Sequence, residues 1–165
     1  MSIVAVKVLK DTIEIASDSI TVRGWTQSKS NNSFSKLVQV NGMTIGGTGG
    51  AEESALLYVY CSTRRPEQPT EGAIINFFSE FASWKNEKTN SSSVRNDYIF
   101  IFDGHAFNVE SFFVQEITDF CAVGAGMDFA LAALHLGRDV VKAVEVACEL
   151  SVFCELPVKK FVIQK

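Results

Sequence analysis

Histidine is scarce. The 165 residues hold two, His105 and His135. His135 lies inside the apolar run Phe129-Ala-Leu-Ala-Ala-Leu-His-Leu136 with no companion ligand in it, so a helix-surface or core position is expected. His105 follows Asp103-Gly104, a hairpin-turn signal, and is read as a turn residue. A zinc site or a histidine-dependent triad therefore has little material. Paired cysteine is lacking too: Cys61, Cys121, Cys148 and Cys154 include no Cys-x-x-Cys, and the closest two are six apart. They are expected as small buried hydrophobes in a reducing compartment. With three prolines and eleven glycines, a collagen-like repeat is excluded. No apolar run reaches about 18 residues, so no membrane-spanning helix is expected. Neither sign of charge dominates: 15 basic against 19 acidic residues leave a net charge of −4, no electrostatic reason to bind nucleic acid. The start, Met1-Ser2-Ile3-Val4-Ala5-Val6-Lys7, has none of the three regions of a signal peptide, and a cytoplasmic location is expected.

Apolar residues are plentiful, at 47%. A chain of this length buries about 70% of its unfolded surface, and residues 1–165 are expected to form a single domain. Residues 2–9 and 12–18 read as two strands joined by a turn at Lys10-Asp11. The polar stretch Thr26 to Ser33 reads as a loop. Lys36–Val40 and Met43–Gly46 flank Asn41-Gly42, the strongest short-range hairpin signal. The period then changes to a helical one over residues 51–61. A second helix follows, with Thr70 as N-cap and a face of Ile74, Ile75, Phe77, Phe78, Phe81 and Trp84. Residues 86–96 are polar and expected to be irregular. Strands return over 98–102, 106–109, 112–117 and 120–123. Next come a helix capped by Asp128 and stopped by Gly137, another over about 139–150, and a last strand over 158–163. Runs of antiparallel strands alternating with helix pairs predict an α+β fold, with the helix pairs covering the outer faces of two stacked sheets.

Two glycine-rich turns open helices. Gly124-Ala-Gly126-Met-Asp-Phe129 lacks the third glycine and the βαβ unit of a dinucleotide fingerprint. Gly46-Gly-Thr-Gly-Gly50 lacks the Gly-Lys-Ser/Thr of a phosphate loop. It is either a tight strand-to-helix turn or a set of exposed N–H groups that can hold an anion or oxyanion. A nucleophile that needs neither histidine nor metal remains: an N-terminal Ser, whose own α-amine acts as general base. Removal of Met1 would make Ser2 that residue.

Ser2-Ile-Val-Ala-Val6, Ile15-Ala-Ser-Asp18, Ser35-Lys36-Leu37, Asn41-Gly-Met-Thr-Ile-Gly-Gly-Thr-Gly-Gly50, Val123-Gly-Ala-Gly-Met-Asp-Phe-Ala130 and Ala147-Cys-Glu-Leu-Ser-Val-Phe153 occur in that order. Together they resemble proteasome β-type subunits, especially the short bacterial HslV peptidase and its proteasome-like relatives, over nearly the full chain. The resemblance implies the four-layer αββα sandwich of the N-terminal nucleophile hydrolases. It implies hydrolysis of unfolded polypeptide or peptide inside a homo-oligomeric ring, with an ATP-dependent unfoldase as a possible partner and no cofactor. By the same resemblance Asp18 is the acidic residue ending the second strand, and Lys36 the lysine that eases proton removal from the hydroxyl. Gly47 supplies the N–H that stabilises the oxyanion. Glu149 and Ser151 fall where the family has an acidic and a small hydrogen-bonding residue around the N-terminal amine.

Two departures from the family keep alternatives open. The family's serine in the second glycine turn is Ala125 here, which removes one hydrogen-bonding group. Matching Ile3-Val4-Ala5-Val6 to the family's apolar run puts Met1 at the nucleophile's place, whereas an ungapped hairpin to Asp18 puts Ser2 there. Strand alternation makes the choice decide which face each residue presents, and both faces are largely apolar. The ungapped hairpin is favoured. Beside the peptidase stand a catalytically silent ring subunit with a scaffolding or binding role, and an amidase acting on a small metabolite.

Overall fold

The computed structural model describes residues 2–24, 26–27 and 34–165. In chain order the first elements are β1 (Val4–Val8), β2 (Thr12–Ser17), β3 (Val22–Arg23), β4 (Thr26–Gln27), β5 (Leu37–Val40) and β6 (Met43–Thr48). Helices α1 (Ala51–Cys61) and α2 (Glu71–Thr89) follow, then β7 (Asp97–Phe102), β8 (His105–Glu110), β9 (Phe113–Ile117) and β10 (Phe120–Val123). Helices α3 (Met127–His135) and α4 (Val140–Leu150) precede β11 (Lys159–Gln164).

A strand apolar on both faces must lie between two layers, and β1 does. Val4 and Val6, with Ile13 and Ile15 of β2, point toward a second sheet, where Leu37, Ile99, Ile101 and Ala106 meet them. Ile3 and Ala5 point the other way, against α3 and α4. The hairpin of β1 and β2 is ungapped and pairs Val4 with Ser17 and Val8 with Ile13. It forms the middle of a four-stranded antiparallel sheet of order β10-β1-β2-β11. The second sheet has the order β5-β6-β7-β8-β9, each strand antiparallel to the next. Its hairpins turn where the sequence asks, at Asn41-Gly42 and Asp103-Gly104, all four residues having positive φ.

The outer face of the five-stranded sheet carries Tyr98, Phe100 and Phe107, which pack with Tyr60 of α1 and Phe77, Phe78 and Phe81 of α2. The outer face of the other sheet is covered by small residues of α3 and α4, among them Ala130, Ala143 and Ala147. The result is a four-layer αββα sandwich.

Several local expectations are corrected. Thr26 and Gln27, expected in a loop, form β4, which pairs with β3; residues 28–33 of that stretch lie outside the described residues. Helix α2 runs on to Thr89 because Lys85 turns inward to Glu53 and the Thr89 hydroxyl bonds the Lys85 carbonyl at 3.0 Å; left-handed Asn90 then ends it. Helix α3 is not capped by Asp128. Gly126 is its N-cap, in a spot where a Cβ would sit 2.7 Å from the Cys154 sulfur, and Asp128 instead favours the first turn electrostatically. His105 is the exposed first residue of β8, bonded to Glu116 at 2.7 Å, and His135 is on the surface of α3. All four cysteines are free; Cys61 and Cys154 are buried, Cys121 and Cys148 half-buried.

Candidate active site

The end of β2 brings Asp18 into the interior, 1% exposed, where its carboxylate collects four donors. Oδ1 accepts from the Ile3 N–H at 3.0 Å and from Lys36 Nζ at 2.8 Å. Oδ2 accepts from the N–H groups of Ile20 at 3.1 Å and Glu155 at 3.2 Å. These four contacts fix the carboxylate rigidly in place. Lys36 precedes β5 and is 9% exposed. Besides Asp18 its ammonium reaches the Ile20 carbonyl at 2.6 Å, with the Asp18 carbonyl longer at 3.4 Å. Burial pushes the lysine pKa below its ordinary value, and the neighbouring Asp18 carboxylate pulls only part of that back.

The Lys36 side chain forms one wall of a cleft of about 200 Å³. Ser2, Thr21, Phe34, Gly47, Gly49 and Ser54 are among its other lining residues. Ser2 is 4% exposed and is fixed from behind by the second glycine turn: its carbonyl accepts the Gly126 N–H at 3.2 Å. Gly124, at φ +100, comes so near that a Cβ there would lie 2.5 Å from the Ser2 oxygen. Ala125, between the two glycines, is exposed and offers only a methyl group.

Ser2, Lys36 and Gly47 thus line one cleft, and Asp18 is joined to it through Lys36. The Gly47 N–H is not idle there, because it donates to the Lys36 carbonyl at 3.0 Å. Glu149 and Ser151 are placed elsewhere. Glu149 is exposed on the last turn of α4, and buried Ser151 accepts the Phe153 N–H at 3.2 Å. Both line a separate recess with Cys148 and Cys154, which has only Ile20 in common with the Ser2 cleft. Burial raises the Cys148 thiol to about 12 and also lifts that of Cys154, which keeps them protonated. Two partners of the Asp18–Lys36 pair, the Ile20 carbonyl and the Glu155 N–H, are backbone groups and leave no side-chain signature in the sequence. Asn96 likewise gives no signal in sequence, lying within the polar stretch 86–96. Among the described residues no group of three or more His, Cys, Asp or Glu could hold a metal ion, and no helix is long and apolar enough to cross a membrane.

No protein-family model matches the chain, and no curated protein matches it in sequence. Solved structures do match. BPH of Thiobacillus denitrificans in complex with epoxomicin is 23% identical, with a TM-score of 0.88 over 98% of each chain. Eukaryotic HslV from Trypanosoma brucei is 19% identical, with a TM-score of 0.73 over 99% of each chain. Anbu, an ancestral β-subunit, from Yersinia bercovieri is 14% identical, with a TM-score of 0.72 over 98% of this chain and 81% of that one. The fold is that of the proteasome β-type and HslV-like N-terminal nucleophile hydrolases.

Proposed function

We propose that the chain is a single-domain, cytoplasmic peptidase subunit of proteasome type, in which Ser2, freed of Met1, is the nucleophile. The observation that carries this reading is the meeting of Ser2, the buried Asp18–Lys36 pair and the glycine turn at one cleft. Ser2 Oγ attacks the scissile carbonyl, and its own amine takes the proton and passes it to the leaving amine; water then attacks the resulting Ser2 ester with the same amine as base, releasing the acid and restoring the hydroxyl. The Lys36 ammonium, held by Asp18, lowers the cost of forming the alkoxide. The Gly47 N–H holds the oxyanion as a shared donor, dividing its hydrogen between the incoming oxygen and the Lys36 carbonyl. Glu149 and Ser151 line the adjoining recess, which shares Ile20 with this cleft. The fold also supports assembly into a homo-oligomeric ring that admits unfolded polypeptide, with an ATP-dependent unfoldase as the partner that delivers it.

The test starts from intact mass spectrometry of the mature protein, which should show Ser2 as the first residue. Epoxomicin, bound by the structurally similar BPH, should then add one molecule to the N-terminal peptide, and small peptide amides should be hydrolysed. Ser2→Ala should abolish both. A retained Met1 with no label at Ser2 would overturn the peptidase. A catalytically silent ring subunit would then stand in its place, a reading that the bare methyl of Ala125 beside Ser2 favours.

A further inference from the structure

Gly47, Gly49 and Gly50 give the Ser2 cleft a stretch of backbone wall, and backbone needs something to hold it still. Glycines supply close approach but no side-chain packing of their own. The holding group is Asn96, just before β7 and 3% exposed. Its Oδ1 accepts the Gly50 N–H at 2.7 Å, and its Nδ2 donates to the Gly50 carbonyl at 2.8 Å. The same Nδ2 donates to the Ser54 hydroxyl, a cleft-lining group, at 2.9 Å. One amide therefore clasps both polar atoms of a single glycine, as a neighbouring strand would. The fit excludes any side chain at Gly49, where a Cβ would lie 2.2 Å from Asn96 Oδ1.

Asn96 is itself fixed. Its N–H and that of Arg95 bond Glu53 Oε1 at 2.9 and 3.0 Å, and Glu53 Oε2 pairs with Lys85 Nζ at 2.7 Å. Glu53 belongs to the first turn of α1, Lys85 to α2, so the clasp ties the glycine turn to both helices of that layer.

We infer that Asn96 is a positioning residue for the hydrolysis proposed above, holding the glycine turn by Gly50 so that the Gly47 N–H meets the oxyanion as it forms. The inference rests on that reading of the site. A group that acts in this way contributes more to the transition state than to the bound substrate. Asn96→Ala removes all three side-chain contacts; Asn96→Asp keeps the acceptor for the Gly50 N–H and loses the donor.

The experiment measures kcat, KM and the number of epoxomicin-titrated sites for the wild type and both variants. It adds the affinity of a peptide aldehyde, whose adduct with Ser2 carries the oxyanion, and of the matching alcohol. Asn96→Ala should lower kcat per titrated site by about 10²-fold with KM nearly unchanged, the scale of loss that a slight misplacement produces. The aldehyde should weaken by the same factor and the alcohol should not. Asn96→Asp should fall between, and it serves as the test if the alanine variant does not fold. A merely structural role would lower Tm and the titrated fraction while leaving kcat per site and aldehyde affinity at wild-type values; that result overturns the inference. A wild type that neither titrates nor hydrolyses overturns the proposed function and this inference together.

Discussion

An ammonium as enclosed as that of Lys36 gives up its proton more easily than one in water, and the consequences for activity and stability have opposite signs. The proposed base is an N-terminal amine, which titrates near 7.7–8.0, so kcat/KM should rise through that region. It should fall again where Lys36 loses its proton, below the ordinary lysine value near 10.5. Between the lowered value and 10.5 the unfolded chain binds more protons at this residue than the native one does. The Lys36 contribution to stability therefore increases with pH across that window. Activity and Tm measured on one pH series should accordingly part company, kcat/KM dropping on the alkaline side before Tm does. A Tm that falls first would show that unfolding, not Lys36, sets the alkaline limb. At this scale the order of short motifs made the pairing of Asp18 with Lys36 legible. The placement of Glu149 was not legible, because neighbouring residues at a helix end point in different directions. Ser151 turns inward there while Glu149 faces water.

Elements are held by how closely their backbones approach, and β6 shows this at Gly46. A Cβ there would lie 2.6 Å from Val4 Cγ1, 2.9 Å from Ile15 Cδ1 and 3.1 Å from Leu37 Cδ2, all three residues being buried between the sheets. Gly46→Ala should therefore destabilise by about 1–3 kcal/mol through overpacking. The Tm should fall by about 2–4 °C for each kcal/mol. The same substitution at Gly72, in the first turn of α2 with nothing within 4 Å of a Cβ, should act in the opposite sense, by up to about 1 kcal/mol. Two thermal melts check the pair, and equal shifts would contradict the packing argument. Long periodic elements such as β1, α2 and α4 were readable from apolar spacing. The two-residue strands β3 and β4 have no period to read, and the polar end of α2 survives on the Lys85–Glu53 contact, which is tertiary. The glycine run was ambiguous for a related reason. Gly46 and Gly47 serve strand packing, whereas Gly49, at φ +118, serves the turn, and composition alone does not separate the two.

At the scale of the whole molecule, three apolar layers account for the buried residues and leave others without cover. Leu136 is 77% exposed, Leu150 61% and Val152 86%, with Met127, Phe153 and Leu156 also open. Scattered single exposures need no explanation, but apolar residues gathered around α3, α4 and the segment after them favour association. The fold class followed from the order of strand runs and helix pairs. The surfaces that meet in an assembly did not, because they draw on residues far apart in the chain. Native mass spectrometry and size-exclusion chromatography at the same concentration should give a mass that is an integral multiple of the subunit, with no monomer. Peptide hydrolysis should elute with the assembled species. A monomer that elutes alone and carries full activity per titrated Ser2 would remove the ring from the proposed function. It would leave the Asp18–Lys36 cleft as a complete site within one chain.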